Sequence, residues 1–310
     1  MKQRTVTENV MARLRTLLIT GALPPGSRID QIELTKRFDV SVVPIREERR
    51  RTGLGEDVER YGSVTREKLE SSAEAARKEV RRARKLGATR IEVVVTSPWR
   101  NAQNGSELIA ALEEATGLRV QPLGEQDEAE LGFVGAVSRT HIDAEPVAVC
   151  DIGGGSTQIA IGTASAPSWL RSVPLGSLRL AQRCLVSDPP TRLELAAART
   201  EAAAAFSELT PPLPAVALAT GGTARALRRY GLCRLDQDTL VAAIEELGGL
   251  SVVARAKRAK VDLERARTLP AGAIILGELH RVLQVPLGVA DGGVREGVCT
   301  RLLGAEAATA

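Results

Sequence analysis

The sequence predicts an α/β protein, and three observations carry that expectation. Short β-branched or apolar runs recur at Ile91 to Val95, Val147 to Val149 and Ala215 to Leu218, as buried parallel strands require. Amphipathic stretches separate these runs, and glycine-rich turns follow two of them, at Gly153 to Gly155 and at Gly221 and Gly222. A chain of 310 residues holds about two domains. No apolar run approaches the roughly 18 residues that span a bilayer, and the amino-terminal stretch lacks a secretory apolar segment. The expectation is therefore a cytoplasmic protein without membrane association. His141, His280, Cys150, Cys184, Cys233 and Cys299 lie too far apart for the usual zinc or redox spacings.

The amino-terminal elements come first. Val10, Leu14, Leu17 and Leu18 recur at helical spacing from Glu8 to Thr20, and Gly21, Pro24, Pro25 and Gly26 stop that helix. Asp30 and Glu33 stand at capping-box spacing before a second helix, and Ser41 suits the cap of a third, with Pro44 in its first turn. Residues 1–50 carry ten Lys and Arg against six Asp and Glu, and so hold the whole net charge of +4. Such a patch attracts phosphate. Residues 5–47 resemble the winged-helix DNA-binding head of GntR-family regulators, which implies Ser41 and Arg46 as DNA contacts. The pattern then departs: Glu48 to Arg51 stand where that family buries apolar residues, and no wing follows. Residues 1–51 are thus expected to be an all-helical helix-turn-helix fragment, with DNA a weak partner.

Leu69, Ala73, Ala76, Val80 and Ala83 make the apolar stripe of a helix from Val64 to Leu86, ended by Gly87. The Ile91 to Val95 strand, a helix from Ser106 to Glu114 and a strand from Leu118 to Pro122 follow. The next strand, Val147 to Val149, runs into Asp151, and Gln158 to Ile161 resumes a strand beyond the glycines. A helix from Leu193 to Leu209 and the Ala215 to Leu218 strand precede the second glycine turn. Helices over Thr239 to Leu247 and Ala273 to Val282 and a loose tail at 305–310 complete the reading.

The chemistry concentrates in Asp151-Ile-Gly-Gly-Gly-Ser-Thr157 and in Ala219-Thr-Gly-Gly-Thr223. Glycines let backbone N–H groups close around an anion and hydroxyls add donors, so these two turns read as opposed phosphate-binding hairpins. Asp151, at a strand end, suits a divalent cation or its water.

These strings, with TSPWRNAQNG from Thr96, GEQDEAELGFVG from Gly124, VPLGSLRL from Val173 and DGGVREG from Asp291, resemble the exopolyphosphatase and guanosine pentaphosphatase (Ppx/GppA) family over residues 52–303. That family is part of the actin, sugar-kinase and heat-shock ATPase superfamily. The resemblance implies two ribonuclease-H-like lobes, at 52–140 and 141–304, with linear polyphosphate or guanosine pentaphosphate bound between them and Mg2+ as cofactor. It implies Glu128 as the catalytic carboxylate and Asp151 as the metal ligand. It also implies Arg100, Gly153, Gly154, Gly155, Ser156, Thr157, Gly221, Gly222 and Thr223 as phosphate binders. Arg179 is a weaker candidate, and Arg295 reads as a loop tie.

Three departures qualify this pattern. The family's first phosphate hairpin has no counterpart between Met1 and Val64, so the first lobe is expected to be incomplete and a homodimer is one way to cover its open edge. Gln158 stands where the family has a glutamate, and Arg267 where it has an aspartate. The expected activity is magnesium-assisted hydrolysis of phosphoanhydride bonds, impaired by these losses. The alternative is a non-catalytic phosphate- or DNA-binding fusion protein.

Overall fold

The computed structural model describes residues 54–309, with side chains through Leu302. The helix-turn-helix expectation for 1–51, with Ser41 and Arg46, lies outside the described residues. The first described elements are helices α1 (Leu54–Tyr61) and α2 (Arg66–Lys85). Thr65 caps α2 through its hydroxyl, which accepts from the Lys68 N–H, while Asp57 accepts from both the Thr65 N–H and its hydroxyl. Strand β1 (Val93–Val95), the short helix α3 (Ser97–Asn101), helix α4 (Gly105–Thr116) and strand β2 (Val120–Pro122) follow. β1 and β2 pair in parallel, with Val93 opposite Val120. Among the described residues they form a two-stranded sheet. Helix α5 (Glu125–Val137) leads out of it.

The larger sheet begins with β3 (Val147–Ile152), β4 (Thr157–Gly162) and β5 (Pro167–Val173), a meander joined by tight turns. Helices α6 (Ser177–Cys184) and α7 (Arg192–Phe206) separate it from β6 (Val216–Thr220). Helix α8 (Gly221–Tyr230), strand β7 (Arg234–Leu235), helices α9 (Gln237–Gly249), α10 (Val252–Ala259) and α11 (Leu263–Leu283), strand β8 (Leu287–Val289) and helix α12 (Val294–Thr309) complete the order. The sheet runs β5-β4-β3-β6-β8-β7. β3, β6 and β8 are parallel neighbours, so their carboxyl ends share one edge, where ligands of open α/β sheets gather.

The alternation of β3 sorts its side chains. Ala148, Cys150 and Ile152 join the main core with Ile274, Ile275 and Leu279 of α11. Val147 and Val149 pack on the opposite face with Phe133 and Ala136 of α5. Asp151 has the parity of Val147 and Val149, so period-two geometry places it on the α5 face. Helix α5 can lie there because α12 crosses it at glycine: a Cβ on Gly135 would fall inside the backbone of Gly293, and one on Gly297 inside the Leu131 carbonyl.

Two expectations change. The 305–310 tail is helical through Thr309, since its alanines and glutamate are strong helix formers and nothing in it breaks the helix before that residue. The helix expected at Ala273 begins ten residues earlier, at Leu263, where Asp262 caps it, and it runs through Pro270. Proline lacks the N–H that would bond the Ala266 carbonyl four residues back. Arg255, only 1% exposed, supplies the missing donor: its Nη1 donates to Ala266 O at 3.0 Å and its Nε to Leu250 O at 2.9 Å. Burial of Leu269, Pro270 and Ile274 then outweighs the local penalty.

Arg255→Met should therefore lower stability by about 2 kcal/mol, the cost of leaving a buried carbonyl unpaired. Adding Pro270→Ala should recover much of that loss by restoring the backbone donor, which urea unfolding of the two variants will measure.

Candidate functional site

At the carboxyl edge of β3, β6 and β8 lies a cavity of about 230 Å³, lined by Thr96, Glu128, Asp151 to Gly154, Thr220 to Gly222, Arg225, Arg265 and Gly293 to Glu296. Each piece arrives by a separate structural rule. Glu128 is on the first turn of α5, where acidic residues are favoured. Asp151 is the penultimate residue of β3. Gly153 and Gly154 form the β3–β4 turn, and Gly221 and Gly222 open α8 directly after β6.

The β3–β4 turn is oriented by α6. The N–H groups of Ser177 and Leu178 donate to the carbonyls of Gly153 and Gly154, each at 2.9 Å, and Arg179 N–H also reaches Gly154 O at 3.1 Å. Gly176 permits this approach, because a Cβ there would collide with the Gly154 carbonyl. In a trans peptide the N–H points opposite to the C=O. The N–H groups of Gly154 and Gly155 are therefore turned away from α6, and Gly154 lines the cavity.

The second turn is a strand-to-helix junction rather than the expected hairpin. Gly221 has φ +89°, and a Cβ on it would sit 2.6 Å from Asp151 Oδ1, so glycine is required here both by conformation and by space. Thr220, the N-cap of α8, makes no side-chain cap hydrogen bond; its hydroxyl instead donates to Gly292 O at 2.6 Å. The positive end of α8 thus opens on the cavity through glycine, a geometry suited to anions.

Glu128 is buried and Asp151 half-buried. Burial pushes the Glu128 carboxyl above its ordinary range, with Asp151 and Glu125 adding to the rise; Arg100, whose Nη2 donates to Glu128 Oε2 at 2.8 Å, opposes it. Arg100 is itself held through Nη1 by the Leu123 carbonyl. Burial likewise raises Asp151, and the opposing charges are Arg225 and Arg265. Glu296 Oε2 accepts the Gly293 N–H at 2.9 Å and keeps the third turn closed.

The structure brings Glu128, Asp151, Gly153, Gly154, Gly221 and Gly222 to one cavity. The rest lie elsewhere. Arg100 grips Glu128. Thr157 is fully buried and donates to Leu175 O at 2.7 Å, and Ser156 Oγ accepts from Gln158 Nε2 at 2.8 Å. Gly155 lies beside Arg179 and Glu59, and Thr223, also fully buried, packs against Gly272. Arg179 pairs with Glu59. Arg295, read from sequence as a loop tie, lines the cavity, as do Arg225, Arg265, Thr96 and Glu296, which the sequence reading missed. Arg225 stands four residues after Gly221, one helical turn along α8, and that spacing was a usable signal. Arg265 comes from α11, and no local pattern marks it.

Among the described residues no group of three or more His, Cys, Asp or Glu is arranged to hold a metal ion. A magnesium ion that keeps several waters and shares phosphate oxygens needs only one or two carboxylates. Asp151, with Glu128 on the same cavity, fits that mode. Arg225 and Arg265 beside Asp151 disfavour a bare dication, so the donor set suits metal arriving with phosphate. No helix of the described residues is long and apolar enough to cross a membrane.

Residues 34–306 match the model of the Ppx/GppA phosphatase family, a match that begins inside the segment resembling GntR regulators. Exopolyphosphatase 1 of Mycobacterium tuberculosis is 28% identical over 272 residues, covering 82% of this chain and 79% of that protein. Exopolyphosphatase 2 of the same organism is 30% identical over 243 residues, covering 70% and 76%. Among solved structures, an exopolyphosphatase from Cytophaga hutchinsonii superposes with TM-score 0.73 at 20% identity, over 82% of this chain and 88% of that one. The Aquifex aeolicus Ppx/GppA family member gives 0.69 at 23%, over 82% and 87%. At these identities the structural likeness concerns the fold alone.

Because burial and Arg100 pull the Glu128 carboxyl in opposite directions, Arg100→Gln should raise its titration midpoint further. Carboxyl-carbon NMR of labelled glutamate is expected to show Glu128 titrating above the ordinary glutamate range, and higher still in the variant. A carboxyl raised in the folded state costs stability when ionised. Its contribution should therefore decline as pH rises from the ordinary glutamate value through the raised one, and be level below that window.

Proposed function

This chain belongs to the Ppx/GppA phosphatase family, and from that premise we propose that it is a phosphohydrolase cleaving phosphoanhydride bonds of linear polyphosphate or guanosine pentaphosphate. One observation carries the reading: two acids withdrawn from solvent, the buried Glu128 and the half-buried Asp151, open on the same cavity as the Gly153–Gly154 turn, the amino terminus of α8 and three arginines. Anion donors and a candidate base thus meet in one small volume.

In this reading Glu128 orients the attacking water and takes its proton. Its raised carboxyl makes it a better base than an exposed glutamate, and Arg100 holds the carboxylate by one oxygen. The Gly154 N–H and the first turn of α8 receive phosphoryl oxygens, while Arg225, Arg265 and Arg295 neutralise charge on the chain. A magnesium ion, when bound, would sit at Asp151 and neutralise the phosphoryl group under attack. The two sheets are read as two ribonuclease-H-like lobes, the first lacking its phosphate hairpin. Gln158 favours a second reading, a phosphate-binding protein without turnover. Its amide is buried and bonded to Ser156, where the family pattern has a carboxylate.

Phosphate release from polyphosphate with Mg2+ separates the two. Glu128→Gln should reduce turnover by about 10²- to 10⁴-fold, the usual worth of a general base, while calorimetric binding of tripolyphosphate is retained. Arg225→Gln should weaken that binding. Binding by the unaltered protein with no phosphate release would select the second reading, and no binding at all would reject both.

A further inference from the structure

We propose that the ion pair between Glu59 and Arg179 is a strut joining α1 to α6 that holds the β3–β4 turn in its anion-facing orientation, which makes both residues positioning residues for the cleft. Arg179 Nε donates to Glu59 Oε1 at 2.8 Å, Nη2 contacts the same oxygen, and Nη1 donates to the Pro174 carbonyl at 2.7 Å. All three guanidinium nitrogens are engaged, and Arg179 is not among the cavity-lining residues. The geometry therefore supports a bracing role over direct grip on phosphate. The two side chains are 14% and 15% exposed, so solvent screens them weakly.

The pair acts on the turn through short links. A Cβ on Gly155 would lie 3.7 Å from both Arg179 Nη2 and Glu59 Oε1, so the ion pair rests against the turn backbone. Leu178 is wedged between the two sides, with a Cβ on Gly55 of α1 at 3.3 Å and one on Gly154 at 3.5 Å from it. The backbone N–H of Arg179 is one of the donors that turn the Gly154 carbonyl toward α6. A shift of α6 would release the Gly153 and Gly154 carbonyls together, and their peptide N–H groups would lose their fixed direction. Glu59 comes from the region of the small sheet and Arg179 from that of the large one, so the strut couples cradle orientation to how the two are held together.

Hydrogen exchange followed residue by residue tests this in the full chain. Glu59→Gln and Arg179→Gln should each speed exchange in residues 153–156 and 177–180 by about ten- to hundredfold, as expected for loss of one charged hydrogen-bonded contact, with β3 and β6 unchanged. The double variant should exchange no faster than Arg179→Gln alone, since the Glu59 contact is already lost in that variant, whereas Glu59→Gln keeps the Arg179 bond to the Pro174 carbonyl. It also buries no unpaired charge, so it carries the measurement if a single variant fails to fold. Unchanged exchange in that segment, acceleration spread evenly over the core, or additive effects in the double variant would overturn the proposal. A second readout, tripolyphosphate affinity, rests on the phosphoanion reading and should weaken about tenfold in the variants, by about 1.4 kcal/mol. If the unaltered protein binds no tripolyphosphate, the proposed function fails while exchange still decides the strut.

Discussion

The cleft depends on α5 lying directly against the large sheet, and that placement depends on backbone meeting backbone where α5 and α12 cross. Gly135 faces Gly293 and Gly297 faces Leu131 with no room for a methyl group. The consequence is that the Glu128 turn of one helix and the carboxyl end of β3 open on a single cavity. Cores tolerate changes of shape poorly at such contacts, because an added atom must push whole elements apart. Space is likewise kept beside Asp151, where a Cβ on Gly221 of α8 would sit 2.6 Å from Oδ1.

Around this scaffold the charges are arranged in opposition. Each acid is pushed toward its neutral form by lost hydration and drawn back by arginine: Glu128 by Arg100, Asp151 by Arg225 and Arg265. The groups that oppose the rise come from different elements, a balance sensitive to small displacements. The same arginines extend the positive field that begins at the α8 amino terminus. The hydrogen-bonded pair is on the α5 side and the other two arginines come from α8 and α11.

Much of the fold was legible in the chain. The amphipathic stripe around Val80, the branched runs before Asp151 and the glycines after it mark elements whose ends differ by a few residues from those observed, because these patterns are local. Two features were not. The helix expected from Ala273 begins at Leu263 and runs through Pro270, where Arg255, from another helix, satisfies the carbonyl that proline leaves unpaired. Ser156, Thr157 and Thr223 carried the right chemistry for phosphate, yet their surroundings are β4, its partner strands and Gly272. A hydroxyl's sequence position does not say which face of a strand or helix it occupies once the element is packed on both sides.

By itself the sequence determined the α/β class and the positions of the two glycine-rich turns, and it marked Glu128 and Asp151 as candidates, since spacing, periodicity and residue type act within a few residues of each other. Tertiary structure alone decided that Arg100 pairs with Glu128, that Arg179 pairs with Glu59, and that Arg265 reaches the cleft. Those outcomes rest on contacts between residues 28 to 120 positions apart, or, for Arg265, on α11 reaching Gly222. Long flexible side chains take whichever partner the packed backbone puts within reach.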